Sequence, residues 1–260
     1  MNIDLQGKRA LVTGANSGIG RAIALAMSRA GAVVGINYIA QQDAADDVVH
    51  EIEAAGGRAI RLEADISDPE AVRAMFAEFD SSFRGVDILV NNAGTDGARA
   101  LSWEADPQAW RKVLEVNLFG AFHCAQEALK RMVPQGHGVV INITSVHERI
   151  PWSGYSAYTA SKAALSMLTK TLAQEAAPHG VRVLALAPGA IKTPINSDVW
   201  DKAAGLADLI DKIPEGRLGK PEDIADMAVL MASDLASYVT GTSVFIDGGM
   251  TLYPSFSHGG

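Results

Sequence analysis

The chain lacks three features that would direct it to particular partners or compartments. Its 260 residues include one cysteine, Cys124, so no internal disulfide can form and a reducing compartment is favoured. No apolar run reaches the roughly 18 residues that a membrane span requires. The 30 Asp and Glu residues outnumber the 22 Lys and Arg residues, and the resulting net charge of −8 argues against a nucleic-acid-binding surface. We therefore expect a cytoplasmic protein that binds neither membrane nor nucleic acid.

The sequence also lacks a Cys/His cluster with metal-ligand spacing, a short internal repeat and a Pro/Gly/Ser-rich linker. We therefore expect no metal site. Hydrophobic residues make up 48% of the chain. A chain of this length buries roughly three quarters of its unfolded surface, which supports one large core. The prediction is a single dinucleotide-binding and catalytic domain that spans residues 1–260.

Short apolar or β-branched runs alternate with helical patterns. The predicted strands are 9–13, 32–37, 59–63, 88–91, 139–144, 181–187 and 243–246. The predicted helices are 20–29, 43–55, 69–83, 107–132, 156–176 and 221–232. Because the strand runs lack a period of two, each strand should be buried on both faces. The pattern predicts an α/β fold of the Rossmann type, with a doubly wound parallel seven-stranded sheet and helices on both faces.

A glycine-rich loop, 13–20, joins the first strand to the first helix. Small residues there let backbone N–H groups and the start of a helix approach a pyrophosphate. A tight turn without a ligand is the alternative. We favour a dinucleotide-binding loop. Its predicted contacts are Gly14, Asn16, Ser17, Gly18, Ile19 and Gly20.

The end of the second strand bears on the choice between NAD and NADP. The sequence there is Asn37-Tyr38-Ile39, which contains neither an acid nor a base. A 2′-phosphate has no counter-charge, whereas Asn37 can hydrogen-bond a free ribose hydroxyl. NAD is therefore favoured and NADP remains possible. After the third strand, Asp65 and its neighbour Ile66 are predicted to meet the adenine, although Asp65 can also serve as a helix cap.

Tyr158 and Lys162 stand four positions apart in a predicted helix, with Ser145 thirteen positions before Tyr158. This spacing places the phenol and the ammonium on one helix face, where the ammonium can favour the phenolate. An unperturbed Tyr has a pKa of about 10, so a usable base requires a lower value.

These motifs together resemble the short-chain dehydrogenase/reductase family over essentially the whole chain. The resemblance implies that Ser145, Tyr158 and Lys162 form the catalytic group with Asn117, which would hold a water that relays protons. It also implies that Tyr158 takes a hydroxyl proton while a hydride passes to the nicotinamide. The remaining cofactor contacts that it implies are Asn91, Ala93 and Gly94 on the adenosine side and Pro188, Gly189, Ile191 and Thr193 over the nicotinamide.

Segments 145–152, 188–196 and 247–256 resemble the glucose 1-dehydrogenase branch. That resemblance implies oxidation of the anomeric hydroxyl of an aldose to a lactone, with His147 and Asn196 contacting sugar hydroxyls. The chain departs from this branch at Ile39 and in segments 95–99 and 153–157. Arg99 and Arg149 can therefore meet an anionic substituent, as in a sulfoquinovose dehydrogenase, or they are plain surface residues.

Three further possibilities concern activity and assembly. A 3-oxoacyl or steroid-type carbonyl reductase that uses NADPH is the rival enzyme class. A nucleotide-binding regulator without activity is the rival outside enzymes. The helices at 107–132 and 156–176 carry apolar residues on more than one face, and the family resemblance implies a homotetramer built on them and on the carboxyl-terminal strand.

Overall fold

The computed structural model describes residues 3–193 and 203–252. The strands are β1 (Arg9–Val12), β2 (Val33–Tyr38), β3 (Ala59–Glu63), β4 (Ile88–Asn91), β5 (Gly138–Ile143), β6 (Val181–Pro188) and β7 (Ser243–Ile246). The α-helices are α1 (Gly18–Arg29), α2 (Gln42–Ala54), α3 (Pro69–Phe83), α4 (Pro107–Leu114), α5 (Ala121–Gln135), α6 (Ser156–Ala176), α7 (Ala203–Asp211) and α8 (Pro221–Ala232).

The seven strands form one parallel sheet in the order β3-β2-β1-β4-β5-β6-β7. The chain builds outward from β1 to β3 and then crosses to the other side of β1, where β4 begins the second half. In such a sheet, ligands bind beyond the carboxyl ends of the strands, where the order reverses. The predicted fold is confirmed, and the reversal point lies between β1 and β4.

Both faces of the sheet are buried, which explains why the strands read as continuous apolar runs. In β1, Ala10 and Val12 belong to the core beneath α1, α2 and α8, whereas Leu11 points to the core beneath α3, α5 and α6. Successive strand residues face opposite sides, so each of these layers requires its own apolar residues. In the part of the chain that the structure describes, no helix is long and apolar enough to cross a membrane.

The long helix predicted over 107–132 is wrong in detail. The α-helix ends at Leu114, a π-helical segment follows over Glu115–Gly120, and α5 begins at Ala121. Apolar periodicity does not reveal a local change from four-residue to five-residue bonding, because that change depends on tertiary contacts. Helix α7 was also absent from the predicted helices.

Candidate active site

The glycine-rich loop joins β1 to α1 at the carboxyl edge of the sheet. Gly14 and Gly18 have φ angles of +59° and +53°, in the left-handed region that glycine adopts without steric cost. A Cβ on Gly20 would collide with the Gly14 carbonyl oxygen and with the Asn92 amide. The loop therefore requires glycine at all three positions.

The amino terminus of α1 is shaped to receive an anion. Ser17 is the N-cap residue, but its side chain makes no capping hydrogen bond, and the first turn contains no acidic residue. Asn16 Nδ2 donates to the Ala40 carbonyl oxygen at 3.1 Å and ties the loop to the chain after β2. Amide groups at a helix start, together with the helix dipole, favour a phosphate. The loop, including Ile19, therefore fits a dinucleotide pyrophosphate.

The chain after β4 is fixed against this loop. Thr13 Oγ1 accepts hydrogen bonds from the backbone N–H groups of Asn92 and Ala93, both at 3.0 Å. Asn92 Nδ2 donates to the carbonyl oxygens of Thr13 at 2.9 Å and Gly14 at 3.1 Å. The two halves of the sheet are thereby locked together at the reversal point.

Asn91, at the end of β4, faces inward. Its Nδ2 donates to the Ala121 carbonyl oxygen at 3.0 Å and to Asn142 Oδ1 at 2.9 Å. Asn142 Nδ2 in turn donates to Thr169 Oγ1 at 2.8 Å. This chain of buried amides ties β4 and β5 to α5 and α6, and the contact of Asn91 with the cofactor stays a prediction.

Asn37 is buried and its amide is already engaged. Its Oδ1 accepts from the Gly14 N–H at 3.3 Å, and its Nδ2 donates to the carbonyl oxygens of Leu62 and Ala64 at 3.2 and 3.1 Å. Asn37 therefore helps to shape the glycine loop, and its contact with the ribose stays a prediction.

The neighbours of Asn37 differ sharply in exposure. Tyr38 is buried, and burial together with the negative charge of Glu63 raises the pKa of its phenol. Ile39 is 62% exposed at the end of β2. An exposed aliphatic side chain therefore stands where a basic residue would otherwise meet a 2′-phosphate.

Asp65 shapes a turn and does not cap α3. Its Oδ1 accepts from the Ser67 N–H at 2.9 Å and the Ser67 hydroxyl at 2.7 Å, while Asp68 is the residue that caps the helix. Burial raises the pKa of Asp65, but the Ser67 bonds and the charge of Lys112 outweigh it and leave that pKa below its usual value. The helix-cap alternative for Asp65 is wrong. The carboxylate stays ionised as an acceptor.

Ile66 packs against the π-helical segment. A Cβ on Gly120 would lie 2.7 Å from the Ile66 side chain, so only glycine allows this close approach. His123 Nδ1 donates to the Ile66 carbonyl oxygen at 3.2 Å. The backbone beside the expected adenine position is thus held by α5.

Ser145 and Tyr158 meet at the end of β5. Ser145 Oγ accepts from the His147 N–H at 3.1 Å, which leaves its own proton for donation. Burial raises the pKa of the Tyr158 phenol, the Ser145 hydroxyl lowers it, and the negative charge of Asp96 raises it again. The net effect is a pKa above the usual value. The protein's own groups therefore do not supply the lowering that we expected from Lys162.

Lys162 is buried below this pair. Its Nζ donates to the Ile143 carbonyl oxygen at 2.8 Å and lies 5.7 Å from the centroid of the Tyr158 ring. Burial lowers the pKa of Lys162 to about 8, and the negative charge of Glu148 opposes that effect. A Cβ on Gly94 would lie 3.6 Å from Nζ. Glycine at this position therefore leaves space for a ligand beside the ammonium.

Asn117 lies in the π-helical segment with its amide fully engaged. Its Oδ1 accepts from the Thr95 N–H at 2.8 Å, and its Nδ2 donates to the Thr95 carbonyl oxygen at 2.8 Å and to Ser161 Oγ at 3.1 Å. The side chain thus holds the loop after β4 against α6. A water held by Asn117, as the resemblance implies, would have to use its backbone or displace one of these bonds.

Three aromatic rings, those of His147, Trp152 and Tyr155, lie beside Tyr158. His147 stacks on Trp152 with centroids 4.6 Å apart, and Trp152 stacks on Tyr155 at 3.9 Å. Trp152 and His147 present their rings edge-to-face to Tyr158 at 5.9 and 6.2 Å. Together His147, Trp152 and Tyr155 form an aromatic wall beside the candidate base.

His147 carries a defined tautomer within this wall. Its Nδ1 donates to the Ile150 carbonyl oxygen at 3.1 Å, which leaves Nε2 as an acceptor in the neutral ring. Burial lowers the pKa of His147, although the Ile150 bond opposes this effect. The neutral imidazole can therefore accept a hydrogen bond from a substrate hydroxyl.

Arg149 and Arg99, the residues expected to meet an anionic substituent, each pack against another part of the chain. The Arg149 guanidinium lies 5.3 Å from the centroid of the Phe245 ring, and Arg99 packs beside Gly154. The Ala100 N–H donates to the Gly154 carbonyl oxygen at 3.0 Å, so the two segments that depart from the glucose 1-dehydrogenase pattern contact each other. Asn196 lies outside the described residues.

The residues expected over the nicotinamide follow β6. The Gly189 N–H donates to the Ile246 carbonyl oxygen at 3.0 Å, and Pro188 pairs with the same residue in the sheet. Ile191 forms a parallel bridge with Gly219. A Cβ on Gly18 would lie 3.6 Å from Thr193 Cγ2, so Thr193 stands directly across the glycine loop. These residues border the same cleft.

Several residues in the site were not assigned roles from the sequence. They are Asp96, Glu148, Trp152, Tyr155 and Ser161. The spacing of Trp152 and Tyr155, six and three positions before Tyr158, is a signal that could have revealed the aromatic wall. Asp96 and Ser161 carry no comparable signal, because loop geometry and helix placement bring them to the site. Within residues 3–193 and 203–252, no group of three or more His, Cys, Asp or Glu side chains is placed to hold a metal ion.

Known proteins are similar to this chain along almost its full length. The chain matches the enoyl-(acyl carrier protein) reductase family model over residues 14–251. The 3beta-hydroxysteroid dehydrogenase 1 of Eggerthella lenta is 47% identical over 260 residues, which cover 98% of each protein. The glucose 1-dehydrogenase 2 of Bacillus subtilis is 41% identical over 253 residues, which cover 97% of this chain and 98% of that protein.

A solved structure extends the match to three dimensions. The gluconate 5-dehydrogenase of Burkholderia cenocepacia, in complex with NADP and tartrate, superposes with a TM-score of 0.92 at 34% identity. The match covers 97% of this chain and 98% of that one. The family resemblance inferred from the sequence is thereby confirmed. The chain belongs to the short-chain dehydrogenase/reductase family of NAD(P)-dependent oxidoreductases that act on CH–OH groups.

Proposed function

We propose that the protein oxidises the anomeric hydroxyl of a glucose-like aldose to the lactone, with NAD as the preferred acceptor. The observation that carries this proposal is the pairing of an aromatic wall with a neutral His147 acceptor beside Tyr158. A sugar ring offers C–H groups to an aromatic face and hydroxyl groups to a convergent acceptor. The resemblance to a glucose 1-dehydrogenase supports the same substrate class.

In the proposed reaction, Tyr158 as phenolate removes the proton of the substrate hydroxyl. Ser145 Oγ accepts the His147 N–H, so the Ser145 proton is not used in that bond and can be donated to the substrate oxygen. The Lys162 ammonium, held by the Ile143 carbonyl oxygen, would stabilise the phenolate together with the positive charge of the bound nicotinamide. When bound, the nicotinamide would supply the acceptor for the hydride of the carbon that bears this hydroxyl. One proton and one hydride leave the substrate, and the C–O bond becomes a carbonyl.

The cofactor would occupy the cleft between the glycine loop and the chain after β6. Gly14, Gly18 and the start of α1 would receive the pyrophosphate, and Asp65 would accept from the adenine amino group. The exposed Ile39 supports NAD, because no cation stands at that position. A related structure contains NADP, so use of both cofactors is the alternative.

A hydroxysteroid is the second candidate substrate. The 47% identity to a 3beta-hydroxysteroid dehydrogenase favours it, and Trp152, 38% exposed, offers a flat apolar surface. The anionic-sugar alternative has less support, because the Arg149 guanidinium lies over the Phe245 ring.

The deciding experiment is a set of initial rates with both NAD and NADP. The panel contains glucose, a 6-anionic glucose, a 3-hydroxysteroid and a 3-oxoacyl thioester, the last with NADH and NADPH. We expect the highest kcat/KM with glucose and NAD. A higher kcat/KM with the steroid would make a hydroxysteroid the proposed substrate instead. A higher kcat/KM with the anionic sugar, lost in Arg99→Ala and Arg149→Ala, would make an anionic sugar the proposed substrate. No turnover with retained NADH binding would point to a regulator.

We further propose that the protein is a homotetramer. Phe119 and Phe122 are exposed at the start of α5, and Met167 is exposed on α6. Large apolar side chains that are exposed near one another mark an interaction surface. The family resemblance implies subunit contacts on these helices and on the carboxyl-terminal strand. The cytoplasmic location stays a prediction from composition.

A further inference from the structure

Glu148 occupies an unusual position below the candidate active site. It ends a 3₁₀ turn, Val146–Glu148, that follows Ser145 directly. Its Oε1 accepts a hydrogen bond from Ser166 Oγ at 2.9 Å, one helical turn beyond Lys162. Its Oε2 is buried and has no hydrogen-bond partner among the residues that the structure describes. A buried carboxylate oxygen left unpaired costs folding free energy, so its presence requires an explanation.

The unpaired carboxylate acts on Lys162. Burial lowers the pKa of Lys162 to about 8, and the charge of Glu148 is the opposing influence. The other titratable groups of this site are Tyr158, whose ring centroid lies 5.7 Å from Lys162 Nζ, and His147 and Asp96, both of which act on Tyr158. His147 is neutral, and Asp96 acts on the phenol. Glu148 is therefore the anion whose effect falls on Lys162.

We propose that Glu148 is a positioning residue that works through Lys162. Its buried negative charge keeps the Lys162 ammonium protonated in a site where desolvation favours the neutral amine. The bond from Ser166 fixes one oxygen and leaves the other without a competing donor, so the full charge remains available to Lys162. This role rests on the proposed catalytic function of Lys162.

The charge of Glu148 can be removed without removing its hydrogen bond. Glu148→Gln keeps an oxygen acceptor for Ser166 but is neutral, so Lys162 should lose its proton at lower pH. We expect the alkaline limb of the kcat/KM profile to move to lower pH. At about pH 9, kcat/KM should fall roughly three- to tenfold below wild type, while at about pH 6.5 it should stay within about twofold.

Ser166→Ala is the matched control, because it removes the bond and keeps the charge. We expect its alkaline limb to coincide with that of wild type. If Ser166→Ala moves the limb as far as Glu148→Gln does, Glu148 acts by holding the turn and the proposal is wrong. Circular dichroism checks folding, and Glu148→Met provides the same charge test if Glu148→Gln does not fold.

Lys162→Arg tests the route of the effect. A guanidinium stays protonated throughout the pH range. When Glu148→Gln is added to Lys162→Arg, the alkaline limb of the residual kcat/KM profile should therefore not move. A limb that still moves would show that Glu148 acts through another group. An unmoved limb in the Glu148→Gln single variant, with Lys162→Arg impaired, overturns only the role of Glu148. Full activity of Lys162→Arg overturns the role of Lys162, and this proposal with it.

Discussion

At the scale of single residues, Tyr158 stands in surroundings that oppose its ionisation. Burial and the charge of Asp96 raise the pKa of the phenol, and among the described residues only the Ser145 hydroxyl lowers it. Lys162 Nζ donates a hydrogen bond to the Ile143 carbonyl oxygen. Ionisation of the phenol therefore depends on a small number of polar groups. Each of them can be changed separately.

Removal of the Tyr158 hydroxyl is the first prediction. Tyr158→Phe should lower kcat by about 10² to 10⁴-fold, because the proton acceptor is lost while the ring keeps its packing. NADH binding, measured by fluorescence, should be unchanged. The matched control is Tyr155→Phe, which keeps the stack on Trp152 and should retain most of the activity. A Tyr158→Phe enzyme with wild-type turnover would remove Tyr158 from the role of base.

Neutralisation of Asp96 is the second prediction, and its sign follows from the electrostatics. The negative charge of Asp96 raises the pKa of Tyr158, so Asp96→Asn should lower that pKa. Oxidation requires the phenolate, which then forms at lower pH. The acid limb of the kcat/KM profile should therefore move to lower pH.

The control for Asp96 is Asp47→Asn, which changes the net charge equally at an exposed position on α2. Its acid limb should match that of wild type. If Asp96→Asn leaves the limb in place or moves it to higher pH, the charge of Asp96 does not act on the phenol during turnover.

At the scale of elements, the π-helical segment Glu115–Gly120 sets the position of the loop after β4. Asn117 reaches from this segment to both backbone groups of Thr95 and to the hydroxyl of Ser161 on α6. Asp96 follows Thr95 directly. The segment therefore controls where the charge that acts on Tyr158 is placed.

The third prediction tests this role. Asn117→Ala leaves buried donors and acceptors unpaired, so the free energy of unfolding should fall by about 2 to 4 kcal/mol. Urea denaturation followed by circular dichroism measures the change. Gln108→Ala, at an exposed position on α4, should stay within about 0.5 kcal/mol of wild type. A loss for Asn117→Ala as small as that of the control would contradict a structural role for its amide.

The π-helical segment also shows how far sequence reasoning extends. Strand and helix order follow from apolar runs and from Gly14, Gly18 and Gly20, because those signals are local. Tyr158 and Lys162 are recognisable for the same reason, since one helix carries both. The change from α-helix to π-helix near Asn117 is not recognisable from the sequence, because it depends on hydrogen bonds to Thr95, which is distant in sequence.

The direction of a side chain is the second feature that the sequence alone does not predict. Asn37 turns into the sheet, where three backbone partners satisfy its amide. Asp65 was a possible helix cap, yet Asp68 takes that place. A residue type shows which hydrogen bonds a side chain can make, whereas packing decides which of them it does make.

At the scale of the whole molecule, one set of apolar side chains is left outside both cores. Phe119 is 50% exposed beside α5, and Met167 is 60% exposed on α6. The two helices pack on the same face of the sheet. A second copy of the chain would bury these groups, and symmetric pairs of such contacts build closed assemblies.

Light scattering coupled to size-exclusion chromatography tests the proposed tetramer. We expect a mass near four times the 27.4 kDa subunit. Phe122→Asp and Met167→Asp place charges in the apolar contact, and burying an unpaired charge is strongly unfavourable, so both variants should shift to smaller species. Tyr238→Asp adds the same charge at an exposed position at the other end of the sheet, and should leave the mass unchanged. A wild-type monomer would contradict the tetramer, whereas a tetramer that survives both helix substitutions would move the contact to another surface.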